Sequence, residues 1–102
     1  MASPKQSIER IAPTALRVGE TATIDSDAPT LLKRVSIRGG SAATTIEFFN
    51  ASITSTAETY SCSVPANASY FEDFGIGLNF GTKMFAKLEG TAGMAYVWYE
   101  TY

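Results

Sequence analysis

The 102-residue sequence contains no histidine, one cysteine and one tryptophan, and only 18% of its residues are charged. Without histidine the chain lacks the commonest general base and the commonest metal ligand. The single cysteine, Cys62, has no partner for an internal disulfide. It alternates with Tyr60 and Val64 in TYSCSV and reads as a small buried hydrophobe, because no neighbouring group activates a thiolate. No apolar run approaches the ~18 residues of a membrane span, and MASPKQSIERIAPTAL lacks the apolar stretch of a signal peptide. The expectation is a protein made in the cytoplasm, neither spanning a membrane nor secreted by that route. A net charge of −2 argues against a basic, phosphate-tracking surface, so no nucleic-acid partner is expected. The local basic group Lys33, Arg34 and Arg38 reads as a solvated strand face.

Groups that resemble chemistry at first sight have simpler readings. The glycines of Gly75-Ile76-Gly77-Leu78-Asn79-Phe80-Gly81 lack nucleotide-loop spacing and open no helix, so they predict strand bending. Asp25-Ser26-Asp27 supplies two carboxylates where calcium takes about six to eight oxygens, and a turn cap fits better. Glu72 and Asp73 are adjacent in a strand and point to opposite faces, which rules out a close acid–base pair. Asn50-Ala51-Ser52 and Asn67-Ala68-Ser69 match the glycosylation tripeptide, but asparagine at a strand end is also ordinary turn chemistry. No catalytic residue, metal or cofactor is expected.

What is present is the material of a β-domain: 45% hydrophobic residues, with aromatic and β-branched runs separated by glycine, proline and asparagine. Residues 1–13 carry Pro4 and Pro13 and only Ile8 and Ile11 as large apolar anchors. They read as an extended arm lying along its own sheet or a neighbour's. Residues 14–102 read as one antiparallel β-sandwich, jelly-roll-like or immunoglobulin-like, with seven to nine short strands. Thr14–Val18 and Thr21–Ile24 form a strand pair turned at Gly19-Glu20. Leu31–Arg38 and Ala43–Asn50 form a hairpin placing Leu32 opposite Phe49, Arg34 opposite Glu47, Val35 opposite Ile46 and Ile37 opposite Thr44. Residues 51–58 are a polar connection with Ile53 as an anchor, and Tyr60–Val64 is a strand stopped by Pro65. Tyr70–Phe74 and Ile76–Phe80 follow, broken at the glycines.

The clearest signal is Lys83–Tyr102, where two such runs flank Gly90-Thr91-Ala92-Gly93 and predict a terminal hairpin. Its expected pairs are Leu88 with Ala95, Ala86 with Val97 and Met84 with Tyr99 on an apolar face. Lys87 with Tyr96, Phe85 with Trp98 and Lys83 with Glu100 fill the other face. Phe85, Tyr96 and Trp98 together present roughly 450–750 Å² of aromatic surface. The largest apolar patch of a typical monomer is about 300–600 Å². A partner or the rest of the chain is expected to cover it, which makes Phe85, Tyr96, Trp98 and Lys87, with Ile8 and Ile11 of the arm, the candidate interface residues.

Val64-Pro65-Ala66-Asn67, Gly75–Phe80, Ala86-Lys87-Leu88-Glu89-Gly90-Thr91 and Val97-Trp98-Tyr99-Glu100 resemble the strand ends and turns of a group of small all-β bacteriophage virion proteins. The resemblance covers roughly the last third of the chain. It implies a capsid decoration or cement protein, non-enzymatic and homo-oligomeric with a trimer favoured, bound to the major capsid protein or another virion protein. The implied location is the capsid exterior, after assembly in the host cytoplasm. A neck or tail subunit and a carbohydrate-binding sandwich are the alternatives.

Overall fold

The computed structural model of the chain describes residues 14–17, 23–50 and 59–102. These residues form β1 (Thr14–Arg17), β2 (Thr23–Asp25), β3 (Thr30–Arg38), β4 (Thr44–Phe49), β5 (Tyr60–Val64), β6 (Ser69–Phe80), β7 (Phe85–Glu89) and β8 (Met94–Thr101). The expected arm with Ile8 and Ile11, the Gly19-Glu20 turn and the Ile53 connection lie outside the described residues.

Two four-stranded antiparallel sheets pack as a sandwich, the first ordered β1-β8-β3-β6 and the second β2-β7-β4-β5. Alternation decides which side chains enter the space between them. Leu32, Val35 and Ile37 of β3, Ala95 and Val97 of β8, Ile46 and Phe48 of β4, and Ala86 and Leu88 of β7 are buried there. Phe80 and Met84 close the layer, and Phe48 is in ring contact with Phe80 and Tyr60 at 6.3 and 5.9 Å. Cys62 is partly buried against this cluster, consistent with its reading as a small hydrophobe.

The pairing β1 with β8, β2 with β7, β3 with β6 and β4 with β5 is that of a long antiparallel ribbon rolled on itself. Contacts of β3 with β8 and of β4 with β7 then close the two sheets. This is a jelly-roll wrap.

The wrap corrects the expected hairpins. Every consecutive pair of strands except β4–β5 belongs to different sheets. Val35 pairs with Glu72 and Val97 instead of Ile46; Ile37 pairs with Tyr70 and Ala95 instead of Thr44. Leu32 pairs with Leu78 and Tyr99, and Phe49 with Phe85. Arg34 lies opposite Asp73 and Trp98, whereas Glu47 lies opposite Lys87 and Ser61. In the terminal segment, β7 pairs with β2 and β4 while β8 pairs with β1 and β3, so none of the expected Leu88–Ala95, Ala86–Val97, Met84–Tyr99, Lys87–Tyr96, Phe85–Trp98 or Lys83–Glu100 pairs forms. Likewise β1 and β2 are not a pair. The physical reason is that an arch between sheets and a hairpin within one sheet bury the same alternate residues. The inward residues of the terminal segment, Met84, Ala86, Leu88, Ala95 and Val97, are therefore right where the partners are wrong, whereas Leu32 and Arg34, expected on one face, are split, Leu32 being buried and Arg34 exposed.

The predicted bending at the glycines is present, as an irregularity inside one strand. Leu78 of β6 faces Leu32 and Asp73 faces Arg34, so residues 74–77 loop out opposite Lys33 alone. Gly75 and Gly77 take φ of 68° and 119°, which a side chain would strain. Lys33 Nζ donates to the Ile76 carbonyl oxygen at 2.9 Å and lies 3.6 Å from the buried Glu100 carboxylate, tying the bulge to its sheet. The Asp25-Ser26-Asp27 turn behaves as expected: the Asp27 N–H donates to Asp25 Oδ1 at 2.9 Å.

Candidate interaction surface

Because the alternate residues of each strand are committed to the core, the remaining ones form two outer faces. On the first sheet these fall into rows across β6, β3 and β8: Asp73–Arg34–Trp98, Phe71–Ser36–Tyr96 and Ser69–Arg38–Met94. Ser36 is small, so the aromatic side chains on either side approach over it. Phe71 and Trp98 meet edge to face at 6.2 Å between ring centroids and 82° between planes. Phe71 remains 54% exposed, while Tyr96, Trp98 and Met94 are partly buried.

The charges around these rings are anchored. Arg34 Nε sits 3.2 Å from Asp73 Oδ2, and the Gly75 N–H donates to Asp73 Oδ1 at 2.8 Å. That backbone bond first, and then Arg34, hold the Asp73 carboxyl below its ordinary value.

Phe85 and Lys87 stand on the outer face of the second sheet, away from Tyr96 and Trp98. The row through Lys87 is Thr23–Lys87–Glu47–Ser61, and the next is Glu89–Thr45–Ser63. Lys87 pairs with Glu89 at 2.6 Å, and the Thr45 and Ser63 hydroxyls bond across the strands. Phe85 lies partly buried between Asp25 and the buried Phe49. Of the expected cluster, then, Tyr96 and Trp98 share a face, Phe85 and Lys87 occupy the other, and Ile8 and Ile11 are outside the described residues. Phe71 is the contributor that sequence reasoning missed. Its strand was legible, but its place two strands away from Trp98 follows from the rolled topology.

Burial raises the Tyr60 hydroxyl and the Cys62 thiol above their ordinary values, leaving the thiol protonated and a weak nucleophile. Among the described residues no three acidic or cysteine side chains gather as a metal site. Nor does any helix among them reach the length and apolarity of a membrane span.

No protein-family model and no curated protein matches the sequence. Among solved structures the chain is similar to the coat protein of Tobacco streak virus at 14% identity and a TM-score of 0.34, over 99% of this chain and 81% of that one. A likeness of that degree assigns neither family nor function.

Proposed function

We propose that this chain is a non-enzymatic structural protein of a virus particle, a bacteriophage capsid decoration or cement protein that docks through the outer face of its first sheet. The observation that carries the reading is the sidedness of the sandwich. One outer face is closed by ion pairs and hydroxyl pairs, and the other presents Phe71, Tyr96 and Trp98. A partly exposed aromatic cluster flanked by anchored charges has the composition of a protein-binding centre with a polar rim. The jelly-roll wrap is an architecture used by capsid, lectin and cupin domains, and the resemblance of the last third of the sequence favours the first of these. A closed homo-oligomer, with a trimer first, suits docking on a symmetric lattice.

The test has two parts. Light scattering of the purified chain at several concentrations is expected to give a closed oligomer, and mixing with empty phage heads is expected to give saturable binding. Trp98→Ala is expected to keep a cooperative melting transition and to lose head binding. Binding to isolated tails and not to heads would move the protein to the neck or tail. Unchanged head binding together with a collapsed melting transition would make Trp98 a core residue and remove the face from the mechanism.

A further inference from the structure

Three connections meet at one end of the sandwich: residues 39–43 after β3, 65–68 after β5 and 90–93 after β7. They are locked to one another. The Gly39 N–H donates to the Ala68 carbonyl oxygen at 2.7 Å, and the Asn67 N–H to the Gly40 carbonyl oxygen at 2.9 Å. A Cβ at Gly39 would overlap the Pro65 carbonyl oxygen, and one at Gly40 the Thr91 carbonyl oxygen, so glycine is what lets the chains approach this closely. The result is a rigid-walled cleft running from the loop end onto the first sheet's outer face. It consists of two spaces of about 530 and 350 Å³ that share Arg38, Asn67 and Met94.

Arg38 is the informative member. Lys33, Arg34, Lys83 and Lys87 each sit within ion-pair distance of a carboxylate. Arg38 pairs with none among the described residues, and no carboxylate lines either space. The smaller space is lined, besides Arg38, by Ser36, Ser69, Asn67 and Tyr96, which bring hydroxyl, amide and aromatic groups to the same cleft.

We propose that this cleft binds an acidic sugar, its carboxylate on Arg38. A guanidinium presents parallel N–H donors that match a carboxylate. Arg38 is the one cation among the described side chains that line the cleft, and a single cation suits a monoanion better than a phosphate dianion. Amide and hydroxyl groups bond sugar hydroxyls, and Tyr96 with Met94 supplies an apolar wall for the ring. The volumes fall in the range of small-molecule sites, about 300–1,000 Å³. The site shares Tyr96 and Met94 with the proposed docking face and goes beyond it at its anchor, Arg38, which takes no part in the Phe71–Trp98 contact.

The test is an amide-resolved NMR titration of the full chain with N-acetylneuraminate and glucuronate, and with galactose and acetate as neutral and sugar-free counterparts. The acidic sugars are expected to saturate at millimolar concentration, with shifts centred on Ser36, Asn67, Ser69 and Tyr96. Galactose and acetate are expected to bind about tenfold more weakly or worse. Arg38→Gln, at an exposed strand end that tolerates the change, is expected to lose about tenfold or more, with Arg38→Lys between. Asn67→Gly accepts the native φ of 61° and removes only the amide, so it is expected to weaken binding several-fold while leaving the loop spectrum intact. Acetate binding as tightly as the acidic sugars would reduce the cleft to a bare anion site. Equal binding of galactose, an unchanged Arg38→Gln titration, or no saturation would each overturn the proposal.

Discussion

The two outer faces of the sandwich are built on the same inner pattern and end with opposite characters. Beneath both, β-strands alternate into one core, with Val35 and Val97 under the first face and Ile46 and Leu88 under the second. Above the core, the second sheet spends its outward positions on Thr45 and Ser63, whose hydroxyls bond each other, on Lys87, which pairs with Glu89, and on Glu47 opposite Lys87. The first spends them on Phe71, Tyr96, Trp98 and Met94. An outward serine or threonine costs nothing in water, whereas an exposed aromatic cluster gains from being covered. The inward residues of both sheets determine the fold, while only on the first sheet do the outward residues form an aromatic cluster that gains from being covered.

The largest effect expected tests the shared part. Phe48 is fully buried between the sheets against Tyr60 and Phe80, so Phe48→Ala should cost about 3–5 kcal/mol of stability in denaturant unfolding. A loss under about 1 kcal/mol would mean that the two faces do not stand on one tightly packed core. Next comes the face itself. Phe71→Asp places a charge where the ring is 54% exposed and should weaken association by about thirtyfold, near 2 kcal/mol, with little change in melting. Ser61→Asp, on the exposed side of the other sheet, should leave association unchanged, and equal losses from both would erase the proposed sidedness. Smaller again is the coupling within the aromatic pair. A double-mutant cycle on Phe71 and Trp98 should return about 0.5–1.5 kcal/mol for the edge-to-face contact, and a value near zero would show that the rings share a face without acting together.

Much of this fold was legible in the sequence, and the reason it was not all legible is geometric. Period-two alternation reports which residues point inward, and it did so correctly for Val35 and Ile37, and for Ala86, Leu88, Ala95 and Val97. It does not report which strand lies alongside. Gly39-Gly40-Ser41-Ala42 and Gly90-Thr91-Ala92-Gly93 suit a hairpin by composition, yet both link strands of different sheets. The opposite charges of Arg34 and Glu47 made that hairpin look well registered, although Arg34 meets Asp73 and Glu47 lies opposite Lys87. One local clue was available. Leu32 and Val35 are both buried with Lys33 and Arg34 between them, and this break in alternation marks the register shift opposite the β6 bulge. For the candidate surface, Tyr96 and Trp98 were visible as outward aromatics of one strand. Phe71 was not, since it reaches them across β3, through a neighbour relation that only the wrap supplies.

The smallest effect expected separates the faces by the sign of their pH response. On the aromatic face, Asp73 has its carboxyl held below the ordinary 3.8, by the Gly75 N–H first and then by Arg34. A lowered acid stabilises fully above its unfolded value and loses that contribution as pH falls through the folded one. On the polar face, Lys87 is held above its ordinary 10.5 by the Glu89 carboxylate. A raised base stabilises fully below its unfolded value and loses that contribution as pH rises through the folded one. Both groups are solvent-exposed, so each effect is a small shift in melting temperature that salt screens. Asp73→Asn should therefore lower the melting temperature slightly near neutral pH, with the difference from the unmodified chain closing below pH 3.8. Lys87→Met should lower it slightly as well, with the difference closing only above pH 10.5. If both differences closed at the same end of the scale, the ion pairs would not be the source of either, and the two faces would be electrostatically alike.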